Sequence, residues 1–234
     1  VPNQHKSSLS WELFFHLRHK SCKLLQTPIF FVFSQMEQAS LTKLPAMNIP
    51  EIQPGIRYVG VNDRTTTRFE ALWPLPAGVS YNAYLVVGER IALVDTVEER
   101  FGGRLFENIR REIGDRKIDY LVINHMEPDH SSSIDALRRR YPDIRLVGNA
   151  KALQMVEGFY GIAGPALEVK EGDTLDLGGL SLAFFMAPMV HWPETMVTWC
   201  PERRTLFSGD AFGTFGALDG GITDSQLDPA LYWD

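Results

Sequence analysis

Six residues of this 234-residue chain are of metal-binding type and stand where they could act together. His125, Glu127, Asp129 and His130 fall in the run Asn124-His125-Met126-Glu127-Pro128-Asp129-His130, which reads H-x-E-x-D-H. They come directly after the apolar run Tyr120-Leu121-Val122-Ile123. His191 follows the apolar run 182–188, and Asp210 follows 205–209. A strand that ends in a turn can splay such side chains toward one point, whereas a helix would scatter them around its cylinder. The spacing therefore predicts a site at the tips of strands, and the donors suit two metal ions.

The donor types narrow the choice of metal. Structural zinc sites favour Cys and His in tetrahedral closure. Here no cysteine lies near the cluster, and carboxylates make up half of the candidate donors. Nitrogen–oxygen sites rich in carboxylate, with open positions, suit iron or manganese better than zinc. Asp210 is placed to bridge, since one carboxylate can hold two cations and lower their repulsion. Glu127 as a ligand adds negative charge, which stabilises the ferric state and favours redox work. Each residue taken singly also has an ordinary role. A lone His at a strand end is a satisfied polar group, Asp129 could cap a helix starting near Ser131, and Ser208-Gly209-Asp210 is good turn sequence. The six together are hard to reach by accident.

The elements that must position them are legible from about Asn48 onward. Arg57–Asn62, Ser80–Val87 and Ile91–Asp95 read as strands, the last two joined by the Gly88-Glu89-Arg90 turn. Glu98–Ile113 carries Phe101, Leu105, Ile109 and Ile113 at helical spacing, and Gly114 supplies the stop. Strands over 118–124 and 145–148 alternate with helices over 131–140 and 151–160. Strands follow over 167–170, 174–177, 182–187, 196–199 and 205–208, with hairpin turns at Gly178-Gly179 and at 201–204. Strands at both ends and strand–helix alternation between them predict an α/β (α+β) fold, two mixed sheets face to face with helices on the outer faces. Burial on both sides accounts for the continuously apolar runs at 121–123 and 182–187.

Residues 1–46 differ in texture, mixing His and Lys with Trp and Phe without a period, and are read as an extraneous or poorly ordered leader before a domain over 47–234. The longest dense apolar run there, Ile29–Phe33, is too short to span a bilayer or to serve as an export signal. A formal charge of −6 argues against nucleic acid or an anionic membrane surface as partner. Two cysteines, Cys22 and Cys200, make no C-x-x-C pair and no disulfide framework, which suits a reducing cytoplasm.

The segments N-H-M-E-P-D-H-S, H-W-P-E-T-M and L-F-S-G-D-A-F-G, with the stretch from Phe69 to Leu85, resemble the flavodiiron proteins of the metallo-β-lactamase-like superfamily. The resemblance runs from about Ile49 to the last residue and implies an αββα sandwich. The hydrolase relatives carry H-x-H-x-D-H, with a second His where this chain has Glu127. Carried over, the resemblance makes His125, Glu127 and His191 ligands of one iron, Asp129 and His130 ligands of the other, and Asp210 the bridge. In some members the residue matching His130 stands off the metal. The implied reaction is reduction of O2 to water or of NO to N2O. Electrons would come from FMN on a C-terminal flavodoxin domain, across a head-to-tail homodimer, fed by a donor such as rubredoxin or a flavin reductase.

Two departures from the family pattern stand out. The family has a further His ligand of the second iron after the bridging Asp, but the six histidines here are 5, 16, 19, 125, 130 and 191. No phosphate-cradling Ser/Thr/Gly loop appears either. The expectation is a C-terminally truncated di-iron domain, its second site short of one ligand and its sandwich incomplete, inactive alone. Two other functions fit the same residues: a dinuclear hydrolase acting on thioesters or lactams, against which Glu127 counts, and a di-iron gas sensor without turnover.

Overall fold

Residues 50–213, 215–217, 222–223 and 226 are described by a computed structural model. The leader expected over 1–46 lies outside them. β1 (Glu51–Gln53) pairs antiparallel with β2 (Ile56–Tyr58), and β3 (Val61–Asp63) follows. A small ribbon of β4 (Arg68–Phe69) and β5 (Trp73–Pro74) precedes β6 (Val79–Tyr81) and β7 (Tyr84–Val87). β2 pairs with β7 and β3 with β6, in separate sheets. The single strands expected over 57–62 and 80–87 are therefore two strands each. The break has a steric cause at Gly60, where an added Cβ would stand 2.2 Å from the Tyr81 carbonyl oxygen. The two chain segments approach too closely there for a regular pleat to run on.

β8 (Ile91–Val94) folds back on β7. A 3-10 turn over Glu99–Phe101 leads into α1 (Gly102–Ile113), whose Leu105, Ile109 and Ile113 are buried as their spacing predicts. After β9 (Tyr120–Val122) come two short helices, α2 (Pro128–Ser131) and α3 (Ile134–Arg140), where a single helix over 131–140 was expected. Pro128 sets the earlier start, its fixed φ suiting the first helical turn. Serine hydroxyls account for the interruption. Ser131 Oγ donates to the Met126 and Glu127 carbonyls, Ser132 Oγ to that of Pro128 and Ser133 Oγ to that of Val97. Side chains that bond to backbone in this way compete with the helical ladder.

The chain continues through β10 (Arg145–Gly148), α4 (Ala150–Tyr160) and β11 (Ala166–Glu168). It closes with β12 (Thr174–Asp176), β13 (Ser181–Met186), β14 (Met196–Cys200) and β15 (Thr205–Phe207). The larger sheet has the order β1-β2-β7-β8-β9-β10-β11 and is mixed, parallel from β8 to β11. The other, β12-β13-β14-β15, is antiparallel throughout rather than mixed. No α-helix intervenes between its strands, only a 3-10 turn over Pro201–Arg203, and parallel pairing needs a long crossover.

The larger sheet is buried on both faces. Leu85, Ile91, Leu93, Leu121 and Leu146 pack with Leu105, Ile109, Leu137 and Val156 of the helices. The alternate residues Tyr84, Val86, Ala92, Val94, Val122 and Val147 pack with Leu182, Phe184, Met196 and Phe207 of the smaller sheet. Period-2 alternation thus feeds two cores at once, which explains the continuous apolar runs. The loops after β8, β9, β10, β13 and β15 meet at one end of the sandwich. Among the described residues no helix is long and apolar enough to cross a membrane.

Candidate metal centre

β9 enters the meeting place with Ile123 buried beneath it and delivers Asn124 and His125 from its end. Asn124 ties the surrounding strands together: its Nδ2 donates to the Phe207 carbonyl, its Oδ1 accepts from Thr198 Oγ1, and its carbonyl accepts from Met196 N. His125 and Glu127 lie in the loop between β9 and α2, whereas Asp129 and His130 lie on α2 itself. That corrects the expectation of a strand-end turn for all four, and of a helix beginning only near Ser131. The first turn of α2 keeps Asp129 and His130 on the side from which the loop arrives.

The imidazole Nε2 atoms and carboxylates converge. Glu127 Oε2 lies 2.8 Å from His191 Nε2 and 3.2 Å from His125 Nε2. Asp210 Oδ2 lies 3.2 Å from His191 Nε2 and 3.5 Å from His125 Nε2, and its Oδ1 lies 2.7 Å from His130 Nε2. Asp129 Oδ2 is 3.5 Å from His130 Nε2. One donor atom each from His125, Glu127, His191 and Asp210 falls within 4.8 Å of all the others. Donors held about 2.1 Å from one ion stand roughly 3–4 Å apart, so this set fits a single cation. His130 stands beside it and reaches it through Asp210, with Asp129 next to His130. Asp129 Oδ1 is buried with no hydrogen-bond partner among the described residues, a costly arrangement for a polar pocket without a ligand.

Burial grades across the site. His125 and His130 are almost inaccessible, while the His191 side chain is 56% exposed. Trp192 sets its edge against the His125 ring, with centroids 5.3 Å apart. Phe212 and Phe215 are largely exposed, Phe215 against Phe69. Backbone in the left-handed region recurs around the site, at Asp95, Met189 and Phe212. Non-glycine residues held there store strain that only tightly fixed surroundings sustain.

The electrostatics are those of a cation-attracting pocket. Burial opposes charge on His125, but the carboxylates of Glu127 and Glu194 outweigh it and push the imidazole up to about 9. Burial opposes charge on His130 as well, and Asp129 and Asp210 drive it well above the ordinary imidazole range. Asp129, desolvated, is pushed up to about 6. Asp210 is held well below the usual carboxylate range, because its three histidine neighbours outweigh its own burial. Imidazoles drawn toward protonation by surrounding acids mark a strongly negative potential.

Two acids the sequence reading passed over complete the surroundings. Glu194 Oε1 lies 2.9 Å from His125 Nδ1. Asp95, just past β8, accepts from Asn124 N and places Oδ2 3.8 Å from His130 Nδ1. Thr96 beside it donates twice to the His130 carbonyl, from N and from Oγ1. Glu194 was visible in the H-W-P-E-T-M segment and Asp95 at the end of an expected strand. Neither carried a mark of its partner.

A two-sheet sandwich with this nitrogen–oxygen cluster at its loop end is a metallo-β-lactamase-like domain with a site able to hold metal. A family model described as "ODP family beta lactamase" matches residues 79–225, and the chain belongs to that family. Its relatives are flavodiiron proteins. It is 37% identical over 185 residues to "Nitric oxide reductase" of Moorella thermoacetica, covering 78% of this chain and 46% of that one. With "Anaerobic nitric oxide reductase flavorubredoxin" of Vibrio vulnificus it shares 36% identity over 165 residues, 69% of this chain and 33% of the other. Among solved structures, rubredoxin oxygen:oxidoreductase from Desulfovibrio gigas matches with TM-score 0.74 and 32% identity over 79% of this chain and 46% of that one. The flavodiiron protein from Giardia intestinalis matches with TM-score 0.70 and 31% identity, over 75% and 43%. The chain thus spans about half or less of the length of these relatives.

Proposed function

We propose that this chain is the metal-binding domain of a flavodiiron reductase, holding two iron ions and taking part in reduction of O2 to water or of NO to N2O. What supports the dinuclear reading above all is Asp210. Its Oδ2 faces His191 and His125 at 3.2 and 3.5 Å while its Oδ1 faces His130 at 2.7 Å. One carboxylate turns a different oxygen to each of two donor groups, an arrangement suited to a carboxylate shared by two cations. In this reading His125, Glu127 and His191 would hold the first iron, Asp129 and His130 the second, and Asp210 would be shared by both.

Bound iron supplies the redox electrons and the open coordination positions for a diatomic gas. The chain's own residues do the rest. Glu127 adds a buried negative charge that favours the more highly charged, oxidised ion. Asp210 lowers the repulsion between two cations. Trp192 closes the inner side against water, and the exposed side, with His191, Met189 and Phe212, is where gas and electrons enter. FMN as electron source, rubredoxin or a flavin reductase as its donor, and a head-to-tail dimer belong to the same proposal. Relatives named flavorubredoxin and rubredoxin oxygen:oxidoreductase support the flavin and the rubredoxin, while the dimer and the flavin reductase rest on the family resemblance alone. The buried free thiol of Cys200 suits a reducing cytoplasm.

The protein expressed from its whole gene and purified without oxygen should carry about two irons per chain and consume NO or O2 with a reduced flavin donor. Tightly held zinc with no gas uptake overturns the reading and favours the hydrolase. Two irons with gas binding but no turnover overturn it in favour of the sensor.

A further inference from the structure

Glu194 is a buried carboxylate to which the proposed reaction assigns nothing. Its side chain is fully inaccessible, and among the described residues its ion-pair partner is His125. Oε1 accepts from the backbone N–H of Met126 at 2.9 Å and lies 2.9 Å from His125 Nδ1, while Oε2 has no hydrogen-bond partner among the described residues. An ionised carboxylate has no hydrogen to give, so Oε1 accepts in both contacts, and the hydrogen between it and the ring belongs to Nδ1. The other ring nitrogen, Nε2, is the one that faces Glu127 and Asp210.

The loop around Glu194 is fastened independently. Asn149, whose Oδ1 caps α4 at Ala152 N, donates from Nδ2 to the Glu194 carbonyl at 2.6 Å. Ala187 N donates to the Thr195 carbonyl, and Thr195 Oγ1 to that of Trp192. The loop that brings the exposed His191 thus also plants an immobile acid against the buried His125, far away in sequence. A ligand whose far nitrogen is held by a fixed acceptor keeps one tautomer and one ring orientation.

We propose that Glu194 is a positioning residue of the metal centre: its carboxylate locks His125 with the hydrogen on Nδ1 and Nε2 presented to the cation, joining the His191 loop to the H-x-E-x-D-H loop. The inference rests on the metal-centre reading and is tested apart from turnover, with Co2+ as probe on the full-length protein. Glu194→Ala should weaken Co2+ affinity ~10- to 100-fold, change the visible absorption of the Co2+ form, and lose the slowly exchanging Nδ1 proton of His125 from the NMR spectrum. Glu194→Gln keeps a carbonyl oxygen for both donors and should recover most of the affinity and the protonated Nδ1. If Glu194→Ala does not fold, Glu194→Asp, which withdraws the oxygen by one methylene, takes its place. Unchanged affinity and absorption in the Ala or Asp variant overturn the role of Glu194, as does a Gln variant no better than either. Wild-type protein that takes up no Co2+ brings down the metal-centre reading itself.

Discussion

At the scale of single residues, the identity of position 127 carries the chemistry. Glu127 stands between His125 and His191, within 3.2 Å of both Nε2 atoms, where an imidazole would leave the first site with less negative charge. Glu127→His should therefore shift retention from iron toward zinc and raise the midpoint potential of whatever iron is bound. Competitive metal loading and a redox titration check this, and unchanged selectivity would refute it. Asp210→Ala removes the oxygens facing both donor groups and should drop metal content from about two ions per chain to one or none, read by elemental analysis. The six candidate ligands were legible from type and spacing alone. Glu194 and Asp95 were not, because an acid that packs beside an imidazole looks in sequence like any other acid. Only its burial beside His125 or His130 distinguishes it.

At the scale of elements, the site depends on how strand ends are tied. Asn124 joins β9 to β14 and β15 through its side chain and carbonyl. Asn124→Ala leaves the Thr198 hydroxyl and the Phe207 carbonyl unsatisfied in a buried region, and should cost about 2–4 kcal/mol in chemical denaturation. Gly88 shows the same dependence on close approach, since an added Cβ would lie 2.6 Å from the Leu177 carbonyl oxygen. Gly88→Ala should destabilise by about 1–3 kcal/mol by forcing the β7–β8 turn off the smaller sheet. Boundaries such as Arg145–Gly148 matched their patterns because strand period and flanking turns agreed. The breaks at Gly60 and at Ser132 did not show in the pattern. The first comes from a neighbouring strand, the second from hydroxyls that choose backbone acceptors once the chain is folded.

At the scale of the whole molecule, two cores share one sheet, so stability is concentrated where the sheets meet. Phe184 is fully buried there, and Phe184→Ala should cost about 3–5 kcal/mol, seen as a lower denaturation midpoint. Cys200 lies in the same layer, and burial pushes its thiol from 9.0 up to about 11. The unfolded chain then loses this proton before the folded one does, so the stability Cys200 contributes is complete below pH 9 and declines between pH 9 and 11. Cys200→Ala should flatten the fall in stability across that window, and an equal slope in both proteins would sink the assignment. Side-chain type already names the six candidate donors and favours carboxylate over sulfur among them, and the alternation of strands and helices already predicts an apolar sheet buried on both sides. These follow from side-chain chemistry and local periodicity, which a linear chain already contains. That Asp210 divides its oxygens between two donor groups and that Glu194 stands behind His125 emerges only once the chain is folded. Both are matters of distance between segments tens of residues apart, set by the packing of the two sheets rather than by any local pattern.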